Sequence, residues 1–142
     1  MRSVILVAVQ VVAIVVMAGS GKLVPSQFWL VVLGIAGVLL AVWGIATIRL
    51  KNLRAVPEVK PGSTLVRRGP YRLIRHPMYA GLLVVGIVWM ISDFSWLRLG
   101  AMVVLTADLL VKMHYEERFL QAAFPEYADY KQQTRKLIPF VY

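Results

Sequence analysis

The chain has 142 residues, 59% of them apolar, and a formal net charge of +9 from 16 basic and 7 acidic side chains. A soluble core would not gather this much apolar sequence into long uncharged blocks. The absence of cysteine excludes disulfides, thiolate metal sites and a cysteine nucleophile, and two histidines, His76 and His114, are too few to build a metal site.

The first apolar block, residues 3–18, follows Arg2 and runs into Met17-Ala18-Gly19, a pattern shared by a short spanning helix and a signal peptide. A retained helix is expected, because the second block needs a packing neighbour. That block, residues 28–48, easily meets the roughly 20 apolar residues a spanning helix requires. Its Gly34, Gly37, Ala41 and Gly44 offer a small-residue surface for close helix contact, or for a homodimer. Between Lys51 and His76, Pro57, Pro61, Gly62, Gly69 and Pro70 predict turns instead of helix, with a short extended piece over 63–67. Residues 79–91 and 96–111, interrupted by Asp93, Arg98 and Asp108, predict a helical hairpin with a tight turn near 92–96. Beyond Glu117, Phe119, Ala123, Tyr127 and Tyr130 recur at roughly helical spacing, broken at Pro125. Aromatic side chains beside Lys and Arg suit the headgroup region, as an interfacial anchor or as a lid over a site.

These elements predict an all-α integral membrane protein with about four transmembrane helices, the last two a hairpin, plus a cytosolic loop and a C-terminal interfacial helix. Residues 1–50 form an N-terminal transmembrane hairpin and 51–142 one catalytic unit. With both termini inside, 14 of the 16 basic residues are cytoplasmic and only Lys22 and Arg98 lie outside. The charge is therefore read as topology plus attraction to anionic lipid, with no nucleic-acid partner. A multi-pass protein of a bacterial or archaeal inner membrane, its site facing the cytoplasm, is expected.

Two polar clusters flank the predicted hairpin. Arg75-His76-Pro77-Met78-Tyr79-Ala80-Gly81 opens one arm and Glu116-Glu117 closes the other. At about 1.5 Å per residue, Leu110 to Lys112 come level with Tyr79, and both glutamates reach the depth of Arg75 and His76. Pro77 suits the first turn of a helix, whose free N–H groups can hold a carboxylate, reinforced by Arg75 and His76. Gly81 lets a ligand or a helix approach the backbone. Glu116 and Glu117 can bind hydroxyl or amine donors and offset a cationic centre. Such a site suits a zwitterion; the plainer reading is a basic membrane anchor beside two solvated acids. Asp108, Lys112 and Glu116 share one helix face at i, i+4 and i+8, which predicts a charge-neutralising ladder, or an Asp108 that lines an acceptor tunnel.

Gly69-Pro70-Tyr71-Arg72, the 75–81 cluster, Glu116-Glu117 with Leu120, the pair Tyr127 and Tyr130, and finally Ile138-Pro139 follow in an order that resembles the isoprenylcysteine carboxyl methyltransferase and phospholipid methyltransferase superfamily. The match runs from about 64 to 139, and the first two helices match only as generic membrane segments. Pro125 stands where many relatives have glycine. The resemblance implies an integral membrane enzyme that uses S-adenosylmethionine, with His76, Pro77, Tyr79, Gly81, Glu116 and Glu117 lining the cofactor pocket and Arg75 and Tyr71 beside them. It implies membrane lipid and a lipophilic small-molecule or prenylated acceptor as partners. Glu116 would be the base for an amine or thiol acceptor, and Arg135 would orient an anionic one. An NADPH-dependent membrane reductase of the sterol-reductase type and a non-catalytic membrane scaffold are the alternatives; the glutamate pair and the tyrosine tail favour the methyltransferase.

Overall fold

Apolar runs punctuated by proline and serine set the helix boundaries. The computed structural model describes residues 2–48 and 64–142, so Pro57, Pro61 and Gly62 of the turn-rich loop lie outside the described residues. Five α-helices follow one another: α1 (Arg2–Gly19), α2 (Phe28–Ile48), α3 (Pro77–Ser92), α4 (Trp96–Ala123) and α5 (Tyr127–Gln133), with a 3₁₀ turn at Gly69–Arg72. Among the described residues there is no β-strand, only an isolated parallel bridge between Ile74 and Arg135. Residues 64–67 carry no regular structure. Pro77 opens α3, where its missing N–H has no partner to lose. The Ser95 hydroxyl accepts from Arg98 N at 3.1 Å and so caps α4 after the tight turn that was expected. Pro125 separates α4 from α5.

Among the described residues α2 is the helix long and apolar enough to cross a membrane, with mean hydropathy 2.5. Only 17% of its apolar window is buried inside the protein, whereas the core helix of a soluble domain would be mostly covered. Helices α1 and α3 are apolar but shorter. Helix α4 has 28 residues, about 42 Å, which exceeds the roughly 30 Å of a hydrocarbon core, so its last turns project beyond any apolar slab that its first part occupies.

The pairing of the helices differs from the expected N-terminal hairpin. Helix α2 packs chiefly on α3, and α1 on α4. The reason is the small-residue face of α2. A Cβ on Gly37 would lie 3.0 Å from the Gly81 carbonyl, and one on Gly44 would lie 2.9 Å from Met78 Cγ. The surface that could have served a homodimer is thus occupied by α3 of the same chain. Arg98, a charge that interrupts an apolar block, joins the opposite end. Arg98 is fully buried, and its guanidinium donates to Trp89 O at 2.7 Å, Lys22 O at 3.0 Å, Asp93 O at 3.2 Å and Ser20 Oγ at 3.3 Å. The α1–α2 loop, the end of α3 and the start of α4 are gathered on that one side chain.

A Cβ at Gly81 would sit 2.8 Å from Ala41 N and 2.9 Å from Ala41 Cβ, closer than packed atoms tolerate. Gly81→Ala should therefore cost about 1–3 kcal/mol by overpacking and lower the thermal unfolding midpoint in detergent. Gly100→Ala, where nothing lies within 4 Å, should leave that midpoint unchanged or raise it.

Candidate functional site

The site is assembled where the segment before α3 lies alongside the segment after α5. Arg135 N donates to Leu73 O at 3.1 Å, Arg75 N to Arg135 O at 2.7 Å and His76 N to Lys136 O at 3.0 Å. This short ladder turns the Arg75 side chain inward, where it is 9% exposed. Its Nε donates to Glu117 Oε1 at 2.7 Å, and its Nη1 to Thr134 O at 2.6 Å and Lys131 O at 3.2 Å. Tyr130 OH donates to Tyr71 O at 2.8 Å, so the tail is tied to the 3₁₀ turn as well. Tyr127 and Tyr130 are buried, which makes the tail a wall of the site.

His76 lies between the two glutamates, with Nδ1 3.4 Å from Glu116 Oε2 and Nε2 3.5 Å from Glu117 Oε1. At those lengths the contacts are electrostatic more than hydrogen-bonded, and Nε2 is buried without a hydrogen-bond partner. The imidazole stacks on Tyr79, ring centres 5.6 Å apart, and Tyr79 OH donates to Glu116 Oε1. Lys131 Nζ stands 3.7 Å from Glu117 Oε2 at the open edge.

Burial by itself would lower the His76 pKa, but the two carboxylates outweigh it and raise the imidazole above its ordinary 6.5. Glu117, on the projecting end of α4, is pushed up by burial yet held down to about 2 by His76 and Arg75. Tyr71 and Tyr127 are raised well above the usual phenol range, by burial first and then by neighbours that include Glu116, so both hydroxyls stay protonated. Neither has a hydrogen-bond partner although both are buried. The cluster therefore offers compensated charge together with unspent polar atoms.

Of the residues expected here, Tyr71, Arg75, His76, Tyr79, Glu116 and Glu117 come together, and Pro77 begins the helix that carries Tyr79. Gly81 faces Gly37 and Ala41 of α2, so the approach it permits is that of a helix. Arg135 contributes its backbone to the ladder while its side chain is exposed. The start of α3 is packed, since His76 N–H is taken by Lys136 O and a Cβ on Gly44 would lie 3.4 Å from Met78 N. The expected ladder on α4 is not formed as drawn. Lys112 Nζ donates to Gln10 Oε1 of α1 at 2.8 Å and lies 5.5 Å from the Tyr79 ring centre, and Asp108 Oδ2 is buried with no hydrogen-bond partner. Sequence reasoning passed over Thr134, Lys131 and Gln10. Only Gln10 carried a signal, as a lone amide in an apolar helix.

A profile of the phospholipid methyltransferase family matches residues 23–127. The cobalt-zinc-cadmium resistance protein CzcN of Cupriavidus metallidurans is 37% identical over 112 residues, covering 78% of this chain and 49% of that protein. A methanethiol S-methyltransferase from a Pseudomonas species is 31% identical over 132 residues, 85% of this chain and 46% of that protein. The uncharacterized protein YpbQ of Bacillus subtilis is 31% identical over 102 residues, 68% of this chain and 59% of that protein. With the expected residues gathered at one end of the helices and the family profile spanning most of the sequence, the chain belongs to the phospholipid methyltransferase family. It spans 46–59% of the length of these curated relatives.

The charge cluster predicts a stability profile with two limbs. Glu117 is depressed from 4.5 to about 2, so its contribution is present above about pH 4.5 and is lost as pH falls toward 2. His76 is raised above 6.5, so its contribution is complete below pH 6.5 and is lost as pH rises through the raised value. Glu117→Gln should flatten the acid limb and weaken the basic one, as read by unfolding midpoints across pH.

Proposed function

We propose that the chain is the S-adenosylmethionine-dependent methyl-transfer unit of an integral membrane enzyme, acting on a lipophilic acceptor reached from the bilayer. The observation that carries this reading is the buried, charge-compensated cluster of Arg75, His76, Glu116 and Glu117 with unpartnered polar atoms on His76 and Tyr71. A simple anion would meet the glutamates and a metal ion would meet the guanidinium. A zwitterion with hydroxyl groups meets complementary groups on both sides. Bound S-adenosylmethionine would supply a methyl group activated on a sulfonium. Glu116 and Glu117 would accept from its amine and hydroxyl donors, while His76 and Arg75 would face its carboxylate.

The rest of the chemistry falls to alignment and water exclusion. Tyr79, held by Glu116 and stacked on His76, fixes the inner edge of the site. Tyr127 and Tyr130 close its outer edge. A thiol or amine acceptor gives up a proton as the new bond to carbon forms, and Glu116, partly exposed, is placed to take it. A carboxylate acceptor needs no such step. The name of the Pseudomonas relative supports a small thiol.

The membrane placement belongs to the same proposal. Helices α1, α2, α3 and the 96–113 part of α4 cross the bilayer, and the charge cluster faces the cytoplasm. Most of the outer surface of α2 is exposed apolar side chain, Trp29, Leu39 and Trp43 among them, as lipid contact requires. Asp108, Lys112 and Gln10 then lie on the bilayer side of Tyr79, along the acceptor's approach.

Calorimetry on the detergent-purified chain, with S-adenosylmethionine, its demethylated product and NADPH as ligands, tests the reading. The methyl donor and its product should bind, NADPH should not, and Glu117→Gln should weaken donor binding at least tenfold while remaining folded. Binding of NADPH alone would transfer the chain to the reductase class, and binding of none of them to the scaffold class. Asp108→Asn should keep or raise the unfolding midpoint, because it replaces a buried carboxylate whose Oδ2 has no hydrogen-bond partner by a neutral group, and should reduce turnover.

A further inference from the structure

The tail that walls the site forms a second recess on its outward side. Arg72, Arg135, Gln132, Gln133, Pro139 and Phe140 line a cleft of about 160 Å³, room for several waters or one phosphate group. It offers two guanidinium groups and two carboxamides, and no carboxylate is among the side chains that line it. Neither guanidinium has an acidic partner among the described residues. The ladder between Leu73 and Arg135 holds the two arginines on neighbouring backbone, which removes much of the ordering cost that a flexible basic tail would meet on binding.

The rim is apolar and unusually presented. Phe140 is 86% exposed, and Leu73, Ile138 and Val141 beside it are exposed as well. Phe140 adopts φ +66°, a left-handed conformation that costs a bulky residue about 1–3 kcal/mol. The conformation is enforced by a closed hook in which Leu137 N and Ile138 N both donate to Tyr142 O at 2.7 Å, and Val141 N to Ile138 O at 3.1 Å. The fold thus spends strain to hold an aromatic ring out into the surroundings, next to a pair of arginines. Basic groups with an exposed aromatic are what the lipid headgroup region accommodates.

We propose that this cleft binds the phosphodiester of an anionic membrane phospholipid, with Arg72 and Arg135 on the phosphate oxygens and Phe140 and Leu73 at the headgroup–acyl boundary. Planar guanidinium forks match phosphate oxygens in pairs, which favours a seated phosphate over diffuse attraction. Gln132 and Gln133 meet the polar headgroup. The site is separate from the methyl-transfer cluster, because Arg75 and His76 turn toward the glutamates while Arg72 and Arg135 are exposed. Yet the two are coupled through the backbone. A lipid that holds Arg72 to Arg135 also braces the ladder that carries Arg75, and so keeps the tail closed over the cluster.

The test is native mass spectrometry of the full chain in detergent, titrated with dioleoyl phosphatidylglycerol, with dioleoyl phosphatidylcholine and inorganic phosphate as separate arms. One phosphatidylglycerol should be retained at least tenfold more tightly than phosphatidylcholine, and inorganic phosphate should not displace it. Arg72→Gln and Arg72→Lys should each weaken retention about tenfold, and Phe140→Ser should weaken the lipid alone. Arg118→Gln removes the same charge from an exposed position on α4 and should leave retention intact. Unfolding midpoints without lipid, unchanged in these exposed-site variants, exclude misfolding as the cause. Equal loss in Arg118→Gln would reduce the effect to net charge, retention in Arg72→Gln would place the lipid elsewhere, and displacement by inorganic phosphate would make the cleft a soluble-anion site; each overturns the proposal.

Discussion

A buried arginine cannot shed its proton, so its charge and its N–H groups call for partners, and Arg75 imposes that demand on the end of the protein that holds the charge cluster. One carboxylate, Glu117, balances the charge at Nε, and the carbonyls of Thr134 and Lys131 accept from Nη1. The carboxylate comes from the end of α4 and the carbonyls come from the tail. Satisfying a single guanidinium therefore brings three separated segments to one point. A lysine there would supply the charge without the geometry. Arg98 plays the corresponding part at the other end with carbonyls and a hydroxyl in place of a carboxylate.

Between these two ends the helices have little to draw them together if lipid surrounds them, because apolar side chains are as well solvated by acyl chains as by each other. Close backbone approach takes over that role. Gly37 and Gly44 on α2 and Gly81 on α3 let the two helices meet with carbonyls and side-chain stems in contact. The register this sets decides how deep His76 and Tyr79 sit, and hence that they stand opposite Glu116. On the other side, the bond from Lys112 to Gln10 ties α4 to α1 and directs the ammonium over the Tyr79 ring. Packing and chemistry share the same few turns of helix.

The tail links this interior to the surface. Its inward side carries Tyr127, Tyr130 and the carbonyls that hold Arg75, and its outward side carries Arg135 and the strained Phe140. Because the backbone ladder, the Tyr130 hydroxyl and the Arg75 contacts all hold its inward side, the tail joins the charge cluster directly to the protein's surface.

Much of this was legible in the residue order. Four apolar blocks, the break at Pro125 and the start at Pro77 follow from local chemistry, since proline and uncharged runs restrict the backbone wherever they occur. The meeting of Arg75 and His76 with Glu116 and Glu117 also followed from counting residues along two arms of a hairpin, because helical rise is constant. Partner choice was beyond that arithmetic. That α2 would take α3 as its neighbour, that Gly81 would face a helix, that Lys112 would bond Gln10 and leave Asp108 Oδ2 alone, and that Arg135 would give its backbone inward and its side chain outward all depend on rotation about helix axes and on contacts between segments far apart in the chain. Sequence spacing sets depth along a helix; only the packed tertiary structure sets which way each face turns, because that choice minimises clashes and unpaired polar atoms over the whole chain at once.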